Sequence, residues 1–339
     1  MSSQHPIDSV LLVSFGGPEA PEEVMPFLRN VTSGRNVPED RLLSVAEHYQ
    51  AFGGRSPIND QNRELIGALR TQLDNSGIHL PIYWGNRNWD PMLGDTLAQM
   101  RSDGMRNAVA FVTSAYSSYS GCRQYRCDIS KAQQAAGPDA PSITKLRQFF
   151  NHPGFIDAFV RSTRTALEGL EPRLRDGAAL VFTAHSIPEA MASGSRYESQ
   201  LAEASRLVAA EIGEEHRWDL VFQSRSGPPS VPWLEPDVND HLEVLAKAGT
   251  KAAVLIPIGF VSDHMEVVHD LDVEAKETAE RLNMVVTRAK TPGTDSAFVA
   301  TIVELIQEVL EPETPARALG ELGVVSCLGD ACCPATTAG

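Results

Sequence analysis

The amino-acid sequence predicts an α/β protein of two doubly wound domains, each built on a parallel sheet. Three observations lead there. Short apolar runs alternate with longer segments of helical spacing, the signature of βαβ units. The alternation occurs twice along 339 residues, a length that accommodates two domains of ordinary size. A composition of 42% hydrophobic and 22% charged residues suits a packed globular chain and not a disordered one.

Ser9–Phe15 (SVLLVSF) reads as a strand ending at the turn Gly16-Gly17-Pro18. Residues 59–75 show helical spacing through Leu65, Leu69 and Leu73. A strand at Ile82–Trp84, a helix around Met92–Arg101 and a strand at Asn107–Thr113 follow. In the second half a strand at Ala178–Ala184 precedes a helix near Tyr197–Ile212, and a strand at Leu220–Gln223 precedes another at Val238–Ala248. A strand at Ala252–Ile258 leads into a long helical segment over Met265–Leu282, and a last helix covers Ser296–Leu310. The domain boundary is expected near Ser142–Pro153, after AAGPDAPS. This gives domains at 1–145 and 146–320 and a cysteine-rich tail at 321–339 that packs back onto the body.

A formal charge of −15, from 44 acidic and 29 basic residues, argues against nucleic acid as a partner. It also means that an anionic substrate needs a local basic patch. Apolar runs such as Ala252–Ile258 are too short to span a bilayer, so no transmembrane segment is expected. Met1–Asp8 lacks the basic and apolar regions of a secretory signal. A cytoplasmic protein is therefore expected, and with no evident interface signature, a monomer. Five cysteines in such a compartment point to metal or redox chemistry rather than a disulfide framework.

Open α/β sheets bind ligands beyond the carboxyl ends of their strands, so residues directly after strands are the candidates. His185 stands there in TAHSIP (Thr183–Pro188), placed to act as a base or a metal ligand, although an isolated loop histidine usually does neither. After the next strand, Glu266 opens a helical run with Asp270 and Glu274 at i, i+4 and i+8, which stacks three carboxylates in one column. Such a column is commonly just a solvated face. Asp263, His264, His269 and Asp272 make it denser, and carboxylates with imidazoles suit labile handling of a divalent metal. Arg55 and Ser56 in the glycine-rich loop Phe52–Ile58 could hold a carboxylate, and Ser224 follows a third strand in QSRSGP. Cys327, Cys332 and Cys333 form a C-x4-C-C pattern. With one thiol from a distant loop they make a four-thiolate site for a [2Fe–2S] cluster or for zinc.

Five stretches in order resemble the ferrochelatase family along nearly the whole chain. They are LLVSFGGP (Leu11–Pro18), HYQAFGGRSPI (His48–Ile58), TAHSIP, QSRSGP with Pro232-Trp233, and PIGFVSDHMEVVHDLD (Pro257–Asp272). The resemblance implies two Rossmann-like domains of the class II chelatase fold with the active site in the cleft between them. It implies His185 and Glu266 as a facing catalytic pair that handles Fe2+, with Asp263, Asp270 and Glu274 as an acidic relay. Arg55, Ser56, Tyr125 and Ser224 then line the porphyrin pocket. Phe15 stands where the family has a strand-end tyrosine, so no ligand role falls to it. The tail resembles that of cluster-bearing members from high-GC Gram-positive bacteria. This implies a [2Fe–2S] cluster on Cys122, Cys327, Cys332 and Cys333, with Cys127 spare.

The implied reaction inserts ferrous iron into a porphyrin and removes two pyrrole protons. A pocket that holds the ring distorted exposes its nitrogen lone pairs. His185 is expected on one face of the ring, and Glu266 with Asp270 and Glu274 on the other. Arg29, Arg35, Arg41, Arg55, Arg123 and Arg126 lie near the pocket motifs. Together with the lineage of the tail they favour coproporphyrin III, which carries four propionates, over protoporphyrin IX. The product is then iron-coproporphyrin in haem b synthesis, and transient contact with neighbouring enzymes of haem synthesis is expected. Two other readings stay open: a chelatase for cobalt or nickel, and a non-catalytic iron or haem carrier, which would not need the full motif set.

Overall fold

The computed structural model describes residues 6–34, 37–228, 230–326 and 333–334. Among these, eight strands form two four-stranded parallel sheets. The first sheet contains β1 (Ser9–Ser14), β2 (Ile82–Asn86), β3 (Asn107–Val112) and β4 (Ser142–Lys145), in the order β2-β1-β3-β4. The second contains β5 (Ala179–His185), β6 (Trp218–Gln223), β7 (Ala252–Ile256) and β8 (Val285–Arg288), in the equivalent order β6-β5-β7-β8. Val10 pairs with both Ile82 and Val109, and Leu180 with both Trp218 and Val254, so β1 and β5 are interior strands. Helices cover both faces of such sheets, which is why β1 and β7 are buried along their whole length and read as unbroken apolar runs.

Six of the seven strands expected from apolar runs are present, with ends displaced by no more than two residues; the seventh, expected at Val238–Ala248, is instead the helix Val238–Lys247, whose buried Val238, His241, Leu242 and Leu245 follow helical and not alternating spacing. Two edge strands were not foreseen. β4 is SITK and β8 is VVTR, short segments with exposed positions and no apolar run. Also unforeseen are the helices Val24–Val31, Glu39–Ala51, Gln124–Ala136 and Pro153–Glu168. The first two lie in the long connection from β1 to β2, where they form a small apolar cluster of their own with Met265 from the second half. The segment Met265–Leu282 is helical but not uniform. An α-turn over Met265–Val267 passes into a π-turn over Val268–Glu274 and back to α over Ala275–Arg281.

The two sheets share a core. One apolar cluster contains Val10 and Phe111 from the first sheet and Phe182 and Val254 from the second. The helix Ser296–Leu310, the last among the described residues, crosses back to supply its centre. Its Phe298 ring lies 6.1 Å from Phe111, 6.0 Å from Phe149 and 6.0 Å from Phe155. The chain beyond this helix is held at the same joint. Arg147 binds Glu308 through two nitrogens and the Arg317 carbonyl through one, while the Asn151 amide donates to the carbonyls of Leu319 and Gly323. The Glu321 backbone N–H donates to the Glu203 carboxylate. Among the described residues no helix is long and apolar enough to cross a membrane.

Removing the Phe298 ring leaves a cavity among the three rings of Phe111, Phe149 and Phe155. Phe298→Ala is expected to cost about 3–5 kcal/mol, read as a lower urea midpoint; a loss under about 1 kcal/mol would contradict the shared core.

Candidate active site

Each sheet reverses its strand order once, between β1 and β3 and between β5 and β7. The crevice beyond the strand ends at such a reversal is where open α/β sheets hold ligands. His185 is the last residue of β5, and the chain leaving β7 carries Glu266. That chain folds closely over the end of β5 because residue 259 is glycine. A Cβ there would lie 2.7 Å from the Ala184 Cβ, and the Gly259 N–H donates to the Thr183 carbonyl at 3.1 Å.

The result is a contact of 3.6 Å between His185 Nε2 and a Glu266 oxygen. On the other side of the ring, His185 Nδ1 lies 2.5 Å from the Ser186 carbonyl. A carbonyl only accepts, so Nδ1 carries hydrogen and Nε2 points a lone pair at the carboxylate in the neutral ring. A 3.6 Å gap leaves no room for a flat ring between the two groups. The two side chains thus lie together, and not apart as the expected arrangement with one group on each face of a ring would have them.

The acidic column is divided. Glu266 belongs with His185 and with His264, whose Nδ1 lies 3.9 Å from it. Asp270 and Glu274 belong with His269, at 3.6 and 3.8 Å. The π-turn explains the division. Winding with i→i+5 bonds sets residue 274 beneath both 269 and 270, whereas an α-helix would turn His269 well away from Glu274. The ligand atoms of His269, Asp270 and Glu274 lie within 4.8 Å of one another, a donor set that suits a divalent transition metal.

Asp270 accepts from the Ser224 hydroxyl and, at 3.2 Å, from the Gln223 amide. Burial, with added repulsion from Glu266 and Glu274, pushes its carboxyl up to about 6. Ser224 adopts φ 61° to reach it, which turns the chain sharply out of β6. From the first half, His48 on the helix Glu39–Ala51 stacks flat on His269 with centroids 3.7 Å apart. Burial, then the neighbouring His269, lowers the His48 pKa; burial also lowers that of His264.

The other expected residues lie elsewhere. Asp263 lies apart from the other carboxylates of the run: its oxygens take Arg288 at 3.0 and 3.1 Å and the Thr291 hydroxyl at 3.0 Å, and Arg288 also binds Asp272. Ser56 is buried against the Gly17 turn, where a Cβ would meet its own Cβ at 2.7 Å, while Arg55 is half-exposed and paired with Asp60. Tyr125 is buried beneath the Arg87 guanidinium, 4.5 Å from its centroid, and burial raises its pKa. The same guanidinium lies 5.8 Å from the centre of the Phe15 ring and binds Asp128 at 2.6 Å. Of the arginines near the motifs, Arg29 is paired with Glu39, and Arg35 lies outside the described residues.

Cys122 is fully buried, with its sulfur accepting from the Gln148 amide at 3.0 Å. Cys333 is buried in the same apolar cluster. Cys327 and Cys332 lie outside the described residues. Sequence reasoning missed His48, although it lies inside a quoted stretch, and Arg87, whose position directly after β2 is the signal that could have found it.

The sequence profile of the Ferrochelatase family matches residues 8–310. The chain belongs to the ferrochelatase family. It is 53% identical to the coproporphyrin III ferrochelatase of Nocardia farcinica over 97% of each chain. It is 52% identical to that of Mycolicibacterium smegmatis over 98% of this chain and 99% of the relative. A ferrochelatase of Rhodopirellula baltica is 53% identical over 95% of this chain and 92% of its own. Among solved structures, CbiX, an enzyme of sirohaem biosynthesis in denitrifying bacteria, superposes with a TM-score of 0.52 at 15% identity over 89% of this chain and 100% of its own. SirB from Bacillus subtilis with Fe3+ superposes with a TM-score of 0.54 at 10% identity over 93% of this chain and 100% of its own. At that identity the likeness shows the fold, which is the two-domain chelatase fold expected from the motifs.

A carboxyl raised to about 6 destabilises the folded state as pH climbs from the ordinary carboxylate value through 6, and the cost is complete above that. Asp270→Asn keeps an acceptor for Ser224 and removes the charge. Thermal melts should therefore show the variant more stable than the parent at pH 7.5 and equal to it near pH 4; equal stability at both would contradict the crowded carboxylate.

Proposed function

We propose that this enzyme inserts ferrous iron into coproporphyrin III to give iron-coproporphyrin, acting as a cytoplasmic monomer in haem b synthesis. The observation that carries the reading is the 3.6 Å His185–Glu266 pair at the β5/β7 crevice, with the His269, Asp270 and Glu274 donors one turn behind it. The names of the relatives from Nocardia farcinica and Mycolicibacterium smegmatis support the choice of porphyrin.

His185 Nε2 takes a pyrrole proton, with the Glu266 carboxylate beside it. The Nδ1 bond to the Ser186 carbonyl keeps the ring in the tautomer that can do this. Asp270 and Glu274 with His269 deliver the divalent cation, which they can hold only once Asp270 has lost its proton. Arg55, Ser56, Tyr125 and Ser224 line the ring pocket in this reading. Ser224 does so by aiming Asp270, and Tyr125 by supporting the Arg87–Phe15 stack. Asp263 contributes at a distance, by anchoring the loop before Glu266 to Arg288.

Cys122, Cys327, Cys332 and Cys333 are proposed as ligands of a [2Fe–2S] cluster. The described residues fit that group: Cys122 is dry and its sulfur already receives an N–H bond, as an anionic thiolate requires. Ser120 touches Met191, and Pro334 lies against Gly194, so the internal loop and the tail both reach the short helix Glu189–Ser193. When bound, the cluster supplies a cross-link between tail and body and a one-electron couple.

Steady-state assays with Fe2+ should give a higher kcat/KM for coproporphyrin III than for protoporphyrin IX, and the reverse order would overturn the substrate choice. His185→Ala should lower kcat by about 10²-fold or more, the size of a lost general base, and normal turnover would remove His185 from the reaction. A purified protein with visible absorption that Cys122→Ser abolishes fits the cluster; a colourless protein containing zinc would replace it.

A further inference from the structure

We propose that Tyr116 and Tyr197 are positioning residues that together set the His185–Glu266 gap, each by fixing the peptide group from which one member of the pair is hung. The proposal rests on the reading of that pair as the reacting groups. Tyr197 opens the helix Tyr197–Ile212, and its hydroxyl donates to the His185 carbonyl at 3.0 Å. That carbonyl shares a peptide plane with the Ser186 N–H, which donates to the Gln223 carbonyl at 2.8 Å. The His185 ring is referenced to the next carbonyl along, that of Ser186. Fixing the 185–186 peptide therefore fixes the backbone that carries the ring, one peptide before the carbonyl that orients Nδ1.

Tyr116 does the same for the other side. It lies beyond β3 in the first half, and its hydroxyl reaches the Ile258 carbonyl of the second half at 2.8 Å. The peptide it holds contains the Gly259 N–H that donates to Thr183, the bond that folds the Glu266-bearing loop over β5. The two rings meet edge to face, 6.2 Å between centroids at 85°, and both are buried. Movement of one carbonyl is thereby transmitted to the other.

The frame behind them is fixed as well. One helical turn after Tyr197, the buried Gln200 side chain accepts from the Ser117 N–H at 2.7 Å and donates to the Ser117 hydroxyl at 3.0 Å. The loop bearing Tyr116 thus cannot slide along the helix bearing Tyr197. Burial raises both phenol pKa values, so each remains a donor throughout the working pH range.

The test compares Tyr116→Phe, Tyr197→Phe and the double variant with His185→Ala, using Fe2+ and the preferred porphyrin. Phenylalanine keeps the ring contact and removes only the oxygen. Each single variant should lower kcat about threefold to tenfold, the range of one lost hydrogen bond, with the porphyrin KM unchanged. The double variant should lose less than the product of the two, since both act on one gap. If both singles keep the parent kcat while His185→Ala is inactive, the positioning role is overturned, and a lower melting temperature with unchanged kcat overturns it too. If His185→Ala turns over normally, it is the reading of the reacting pair that fails. Should Tyr197→Phe not fold, Tyr116→Phe carries the test by the same readouts.

Discussion

Phe298 sits among aromatic rings that belong to neither sheet alone, and the position of one sheet against the other follows from that packing. A parallel sheet must be covered on both faces. Here the two sheets meet part of that need with one core, closed by a helix from the far end of the chain. The crevice between the strand ends is then a fixed distance across, and side chains from the two halves can meet within ångströms. His48 stacking on His269 and Tyr116 bonding to Ile258 both depend on it.

Electrostatics around the crevice divide into satisfied and unsatisfied charge. Arg288, itself largely buried, gathers Asp263 and the exposed Asp272 in an arrangement that is neutral but for one negative charge. Asp270 has hydroxyl and amide donors but no cation, and two further carboxylates nearby. A chain selected only for stability would not keep it so. Its raised pKa follows from burial beside those carboxylates, and a positive charge bound there would relieve the crowding.

The sheets were legible because interior parallel strands are apolar along their length, and Ser9–Ser14 or Ala252–Ile256 admits little other reading. Edge strands and half-exposed helices carry no such signature, and Glu39–Ala51, with exposed and buried positions intermixed, went unseen. The pair His185 and Glu266 was legible through motif order and strand-end position. What the pattern could not reveal was which carboxylate answers to which partner. Asp263 reads as part of the acidic run and is bound to Arg288, a residue on an edge strand that nothing local connects to it. Spacing arguments also assume one helical pitch, and the pitch changes within the run that matters.

That change of pitch can be counted. A π-turn is an α-helix that has accepted one additional residue between two points that cannot move apart. Here those points are the loop pinned by Asp263 before the turn and the α-helical stretch Ala275–Arg281, packed under the second sheet, after it. The geometry of these donors is therefore encoded less in any one side chain than in the number of residues between the anchors. A chain one residue shorter over this interval could keep every histidine and carboxylate named above and still aim them at different targets.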